Sequence, residues 1–191
     1  MKHLLFIIVF SYMAIPHLAF SQDANDATEP TVKGEGAINL IEGGTLEAWK
    51  VPSSHWYVEA ESIVGQTGDE KLQIPEWLYT KQGFSDFEFT CELKLTGDNH
   101  RNTGIYYRAN TFQFEGYKSF EAPSGYEFDA AFHNTSKKNF WGSLGDWYAR
   151  KSLRIYPDQT IINQVYKPEK WNRITIRASG IRLEYWINGI K

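Results

Sequence analysis

The sequence predicts an all-β domain built as a sandwich of antiparallel sheets. Strict polar–apolar alternation over residues 85–95 sets the pattern. Short strand-like runs at regular spacing with turn residues between them extend it, and no segment has convincing helical amphipathicity or an internal repeat.

Residues 1–21 stand apart from the fold. Lys2 and His3 precede the apolar run LLFIIVF, and the stretch closes on Ala19-Phe20-Ser21, small residues of the kind a signal peptidase reads. This composition reads as a secretory signal peptide, too short and too weakly flanked for a stable transmembrane span. It leads us to expect export to the periplasm or beyond. No cysteine follows the cleavage site, so a lipoprotein anchor is not expected, and the reading includes no membrane anchor. Residues 22–36, QDANDATEPTVKGEG, hold Val32 as their one large apolar residue and read as a disordered lead-in. The β-sandwich domain is expected over 37–191.

Within it, HWYVEAESIVG (55–65) reads as two strands broken near Ala60-Glu61, and WLYTKQ (77–82) as a further strand. In SDFEFTCELKL, Phe87, Phe89, Cys91, Leu93 and Leu95 alternate with polar neighbours, which makes a half-buried antiparallel strand with Cys91 as a small core hydrophobe. GIYYRA (104–109) and GYEFDAAFH (125–133) follow the same rule. NRITIRA (172–178) and IRLEYWI (181–187) are joined by Ser179-Gly180 as a tight hairpin. Asn188-Gly189 is a strong hairpin signal two residues before the chain stops, so the domain is expected to lack its last C-terminal strand or strands.

Composition narrows the function. Removing Lys2 with the leader leaves 19 basic residues against 23 acidic ones, a net charge of −4 that gives no reason to expect nucleic acid or an anionic membrane. Cys91 is the sole cysteine, so packing alone holds the domain. Seven Trp, 11 Tyr and 12 Phe suit either sugar stacking or an aromatic core, and composition does not separate the two.

Alternation puts Glu127, Asp129 and His133 on one face of 125–133, with Tyr126, Phe128 and Phe132 on the other. Tyr106 and Arg108 share a face of 104–109 and fall on the same side as the carboxylates if both strands bury their apolar faces. This polar face is either a site or the wet side of a sheet. The α-carbons of Glu127 and Asp129 stand roughly 6.6–6.8 Å apart, within the range of a glycosidase pair, but both approach from one side of a sugar. His133 lies roughly 20 Å along the strand from Glu127 and joins the carboxylates only if the strand bends; otherwise it is a solvated strand end. Glu127 and Asp129 with a histidine also make a candidate divalent-metal set. Lys81, on the face of Tyr79, is a candidate donor. Trp141 and Trp147, in FWGSLGDWYAR, are either a sugar-subsite wall or plugs at the end of the sandwich.

The ordered landmarks LIEGGTLEAW, LYTKQGFSDFEF, NTGIYYR, GYEFDA, WGSL and KPEKWNRITIRASGIRLEYWING resemble the 3-keto-disaccharide hydrolase family, also described as 3-keto-glucoside 1,2-lyase/3-keto-2-hydroxy-glucal hydratase. The resemblance runs from Leu40 to the end. It implies a concanavalin-like jelly roll and an exported hydrolase or lyase whose substrate is an oxidised (3-keto) glucoside or disaccharide. Many relatives have an aromatic FDG where this chain has Ile41-Glu42-Gly43, and a His where it has Tyr185. On this reading Glu127 is a base or metal ligand, Asp129 orients or ligates, and Arg108 steadies enolate charge. Tyr106, Lys81, Trp141 and Trp147 bind substrate. The alternative is a noncatalytic carbohydrate-binding sandwich using the same aromatic cleft.

Overall fold

The computed structural model describes residues 5–14, 27–69, 72–98, 101–116, 118–133 and 138–191 of the chain. One sheet contains β1 (Leu5–Ala14), β2 (Ala37–Asn39), β4 (Trp56–Glu59), β5 (Ser62–Gln66), β7 (Phe87–Thr96), β14 (Asn172–Ser179) and β15 (Arg182–Ile187), with β3 (Trp49–Lys50) and β6 (Tyr79–Thr80) forming a separate pair. Its order is β15-β14-β7-β1-β5-β4, with β2 on β1. The second sheet, in the order β13-β12-β9-β8, contains β8 (Gly104–Phe114), β9 (Phe120–Asp129), β12 (Ser143–Gly145) and β13 (Arg154–Ile155). Beside it, β10 (Phe132–His133) pairs with β11 (Lys138–Asn139). Every pairing is antiparallel.

The alternation of 87–95 does what its pattern demands. Phe87, Phe89, Cys91, Leu93 and Leu95 are buried, and with Ile174, Ile176 and Ala178 of β14 they line the seven-stranded sheet's side of the core. The other sheet answers with Tyr107 and Phe128. The Phe87 and Tyr107 rings meet edge to face at 5.7 Å, and Phe128 meets Tyr185 the same way at 5.1 Å. The Tyr107 and Tyr185 hydroxyls bond each other at 2.6 Å, so a buried phenol and a half-buried one satisfy one another. Tyr185 therefore packs its ring against the core.

The predicted hairpins form. Gly180 has φ of 51° between β14 and β15, and Asn188 and Gly189 have φ of 51° and 90° in a turn that brings Ile190 back onto Ile187. The strand break at Ala60-Glu61 is also a turn, with φ of 46° and 58° between β4 and β5. One expectation needs correction, and two stretches set apart from the domain by sequence reach into it. A seven-residue helix, α1 (Gln159–Val165), forms where none was foreseen; the Asp158 carboxylate caps it by accepting from the Thr160 and Ile161 amides. Within the expected disordered lead-in, the described residues from 27 onward pack on the sandwich. There the Glu29 carboxylate accepts from Arg173 and Thr175, the Ala27 carbonyl accepts from the Trp186 indole, and Val32 is buried. Finally, residues 5–14, inside the expected leader, run as β1 between β5 and β7. Among the described residues no helix is long and apolar enough to cross a membrane.

Candidate functional site

The second sheet fixes the site through its register. Opposite Glu127 stand Tyr106 on β8 and Gly145 on β12; opposite Asp129 stand Gly104 and Ser143. Directly paired residues share a face, so the two carboxylates sit on a row flanked by glycine, serine and one tyrosine. The small neighbours leave room for the Glu127 side chain. A Cβ at Gly104 would collide with Glu127 Oε1 and stand only 2.7 and 2.8 Å from its Cδ and Cγ.

That face is not the wet side of a sheet. Glu127 is 7% exposed and Asp129 4%. Glu127 borders a cleft of about 1060 Å³, which also takes in Trp77, Tyr79, Trp147, Tyr148 and His55. The Trp77 ring stacks on Phe120 at 6.0 Å and meets Tyr148 edge to face at 5.5 Å, which fastens the segment 72–78 onto this sheet. Trp147 forms another part of the wall, with the Arg154 guanidinium 4.4 Å from its ring centre.

Three buried polar atoms border the cleft without a hydrogen-bond partner of good geometry among the described residues: Glu127 Oε2, Tyr106 Oη and Tyr79 Oη. Buried polar groups are nearly always satisfied, so three orphans converging on one cleft mark a place for a polar ligand. Burial pushes the Glu127 carboxyl well above the ordinary glutamate range. The nearby Asp129 charge pushes the same way, while Tyr106 and Trp147 stand close enough to offset part of it. Burial, reinforced by Glu127, also raises the Tyr106 phenol, and it pushes Tyr79 and Tyr148 up to about 12, so all three hydroxyls stay protonated at neutral pH. The site thus combines a carboxylate of raised basicity with fixed, neutral O–H donors.

The predicted site residues divide. Glu127, Tyr106 and Trp147 come together in the cleft. Asp129 shares the row of Glu127, but its Oδ1 accepts from the Ala131 amide at 2.9 Å, closing the turn at the end of β9, and burial lifts its carboxyl to about 7. Arg108 borders the cleft, but all three of its guanidinium nitrogens donate to protein groups. Its Nε donates to the Ser85 carbonyl at 2.6 Å, Nη1 to the Gly180 carbonyl at 2.5 Å and Nη2 to Asp86 at 2.6 Å. The cause is a bulge: between the pairs Tyr107–Tyr126 and Asn110–Ser124, two residues, Arg108 and Ala109, face one, Gly125, and Arg108 takes a φ of 48°. Gly125 allows it, because a Cβ there would stand 2.8 Å from the Ala109 backbone. The extra residue breaks the alternation that put Arg108 beside Tyr106.

Trp141 is fully buried against Tyr166, with ring centres 4.5 Å apart, so it is a core plug and no wall of the cleft. Lys81 is exposed and lies outside the cleft lining, although Thr80 and Gln82 contribute to it. His133 lies in β10; its side chain falls outside the described residues. Among the described residues no cluster of three or more His, Cys, Asp or Glu is arranged to hold a metal, and Glu127 and Asp129 find no third ligand there.

Sequence reasoning missed Trp77, Tyr148 and the hydroxyl of Tyr79. Their signal was present only as aromatic excess, because the cleft gathers them from segments far apart in the chain.

A family model described as a 3-keto-alpha-glucoside-1,2-lyase-like domain matches residues 36–191. No curated protein and no solved structure matches the chain.

Proposed function

Because the chain belongs to the 3-keto-alpha-glucoside-1,2-lyase-like family, with its concanavalin-like sandwich, we propose that it cleaves 3-keto-glucosides by elimination across C1–C2 followed by hydration. A ketone at C3 acidifies the C2 proton. A base removes that proton, the electron pair passes into the enolate, and the enolate then expels the oxygen on C1. Addition of water to C1 and return of a proton to C2 complete a net hydrolysis.

The observation that carries this reading is the orphan Glu127 Oε2 in a cleft beside two orphan phenol oxygens. Glu127 takes the C2 proton, and its raised basicity suits it to a weakly acidic carbon. Tyr106 and Tyr79 hold protonated hydroxyls for the oxygen where negative charge develops, the role expected of Arg108, whose guanidinium is engaged elsewhere. Trp147 and Trp77 supply aromatic faces for the sugar ring. Asp129 positions Glu127 by fixing the end of β9 and by raising its basicity through charge. The leader-like composition of residues 1–21 supports a periplasmic or extracellular setting.

The test uses a glucoside and its 3-keto form in deuterated water. The 3-keto form should release its aglycone and carry deuterium at C2 of the freed sugar, while the unoxidised glucoside stays intact. Glu127→Gln should abolish both release and labelling while sugar affinity is kept. Cleavage of the unoxidised glucoside, or product without C2 label, would refute the mechanism; binding without turnover would leave a carbohydrate-binding module.

A further inference from the structure

Elimination also needs a proton for the departing aglycone oxygen, and Glu127 is then occupied with the C2 proton. We infer that His55 supplies it, held for the purpose by Glu76 and Ser53; this rests on the elimination reading above. His55 precedes β4 and lines the same cleft as Glu127, as does Glu76 from the segment that Trp77 fastens to the sheet. Three contacts fix the imidazole. Ser53 Oγ donates to Glu76 Oε2 at 2.6 Å, His55 Nδ1 stands 3.1 Å from Glu76 Oε1, and the same Nδ1 stands 3.0 Å from Ser53 Oγ.

Ser53 has a single hydroxyl proton, and the shorter bond gives it to the carboxylate. Nδ1 must therefore carry the proton in its contacts with both oxygens, which selects the Nδ1–H tautomer. Nε2, the nitrogen on the far side of the ring, has no partner among the described residues. This is not a nucleophilic triad, because serine and carboxylate both engage the same ring nitrogen, and the Ser53 oxygen is tied as a donor. It is a carboxylate-oriented imidazole with one working nitrogen, at the mouth of the cleft, where the His55 side chain is 39% exposed and Glu76 17%. The aglycone, the part of the substrate that varies and leaves, belongs at that mouth.

The proton inventory closes over the cycle. Imidazolium His55 gives its Nε2 proton to the C1 oxygen as that bond breaks with its electron pair, and Glu127 holds the C2 proton. In hydration, water adds to C1 and passes a proton to neutral His55 Nε2, while Glu127 returns its proton to C2. Both groups end as they began.

The test compares methyl and 4-nitrophenyl 3-keto-α-glucosides, because nitrophenolate leaves without protonation and methoxide does not. His55→Gln should lower methanol release by about 10²-fold or more, the scale of a general acid. Its effect on nitrophenol release should be at least an order of magnitude smaller, and deuterium exchange at C2 should persist, since Glu127 is untouched. Glu76→Gln, which leaves the ring in place without its carboxylate, should move the methyl-to-nitrophenyl ratio in the same direction by a smaller factor. Equal loss on both substrates, no loss on either, or loss of C2 exchange in a cooperatively folded variant would overturn the assignment. His55→Asn is scored the same way should the glutamine variant not fold. If the wild-type protein releases neither aglycone, elimination itself fails and His55 falls with it; if wild type works and His55→Gln matches it, only His55 fails.

Discussion

Gly104→Ala is the sharpest test of the site's geometry, because one methyl group is aimed at the proposed base. The new Cβ would stand 2.8 Å from Glu127 Cγ and 2.7 Å from Cδ, and would collide with Oε1. Carbon atoms rest at about 3.5–4.0 Å, so Cγ must retreat by roughly 0.7 Å and the carboxylate by more. The backbone of residue 104 has no left-handed φ, so the strain is confined to Glu127. A misplacement of about 1 Å at a reacting group costs on the order of 10²-fold in rate, or roughly 2.7 kcal/mol of barrier. Stability should change much less. Overpacking costs about 1–3 kcal/mol, and replacing a strand glycine by alanine returns roughly 0.5–1 kcal/mol through the unfolded chain. Aglycone release from a 3-keto-glucoside, measured beside a urea titration, separates the two effects. Wild-type turnover in a folded Gly104→Ala protein would refute the placement of Glu127 as base. A fall in turnover that only tracks the unfolded fraction would reduce Gly104 to a packing residue.

Arg108→Ala should behave in the opposite way: stability falls by about 1–2 kcal/mol, the low end for charge-assisted bonds at a partly exposed site, and turnover per folded molecule is unchanged. Turnover lost without stability lost would return Arg108 to the enolate. For Asp129, burial lifts the folded pKa from 3.8 to about 7, so the folded protein binds that proton more tightly than the unfolded chain does. Stability should therefore decline as pH rises from about 4 to about 7. Asp129→Asn, which keeps the acceptor for the Ala131 amide, should flatten that decline in urea midpoints taken across the range; an unaltered slope would contradict it. Deleting residues 1–21 tests the leader reading directly: a cleaved leader leaves the domain folded, so the shortened protein should keep its cooperative thermal transition. Loss of that transition would show that β1 holds the sheet between β5 and β7 and is no leader.

The sequence by itself determined whatever follows from a period of two along one strand. The buried face of 87–95 was readable because alternation is local, and so was the shared side of Glu127 and Asp129. The hairpin turns at Ser179-Gly180 and Asn188-Gly189 were equally readable, since tolerance of positive φ is a property of the glycine itself. Everything that depended on a partner strand was decided by the tertiary structure. The bulge that turned Arg108 away from Tyr106 exists because β9 offers Gly125 opposite it, and nothing in residues 104–109 announces that. Trp141 and Trp147 flank the short strand β12 and look alike in sequence. Only packing buried the first on Tyr166 and set the second in the cleft wall. Tyr79, Tyr106 and His55 share one cleft with Glu127 although they come from separate stretches of chain. Such a cleft is made by long-range contacts, to which neither periodicity nor composition is sensitive.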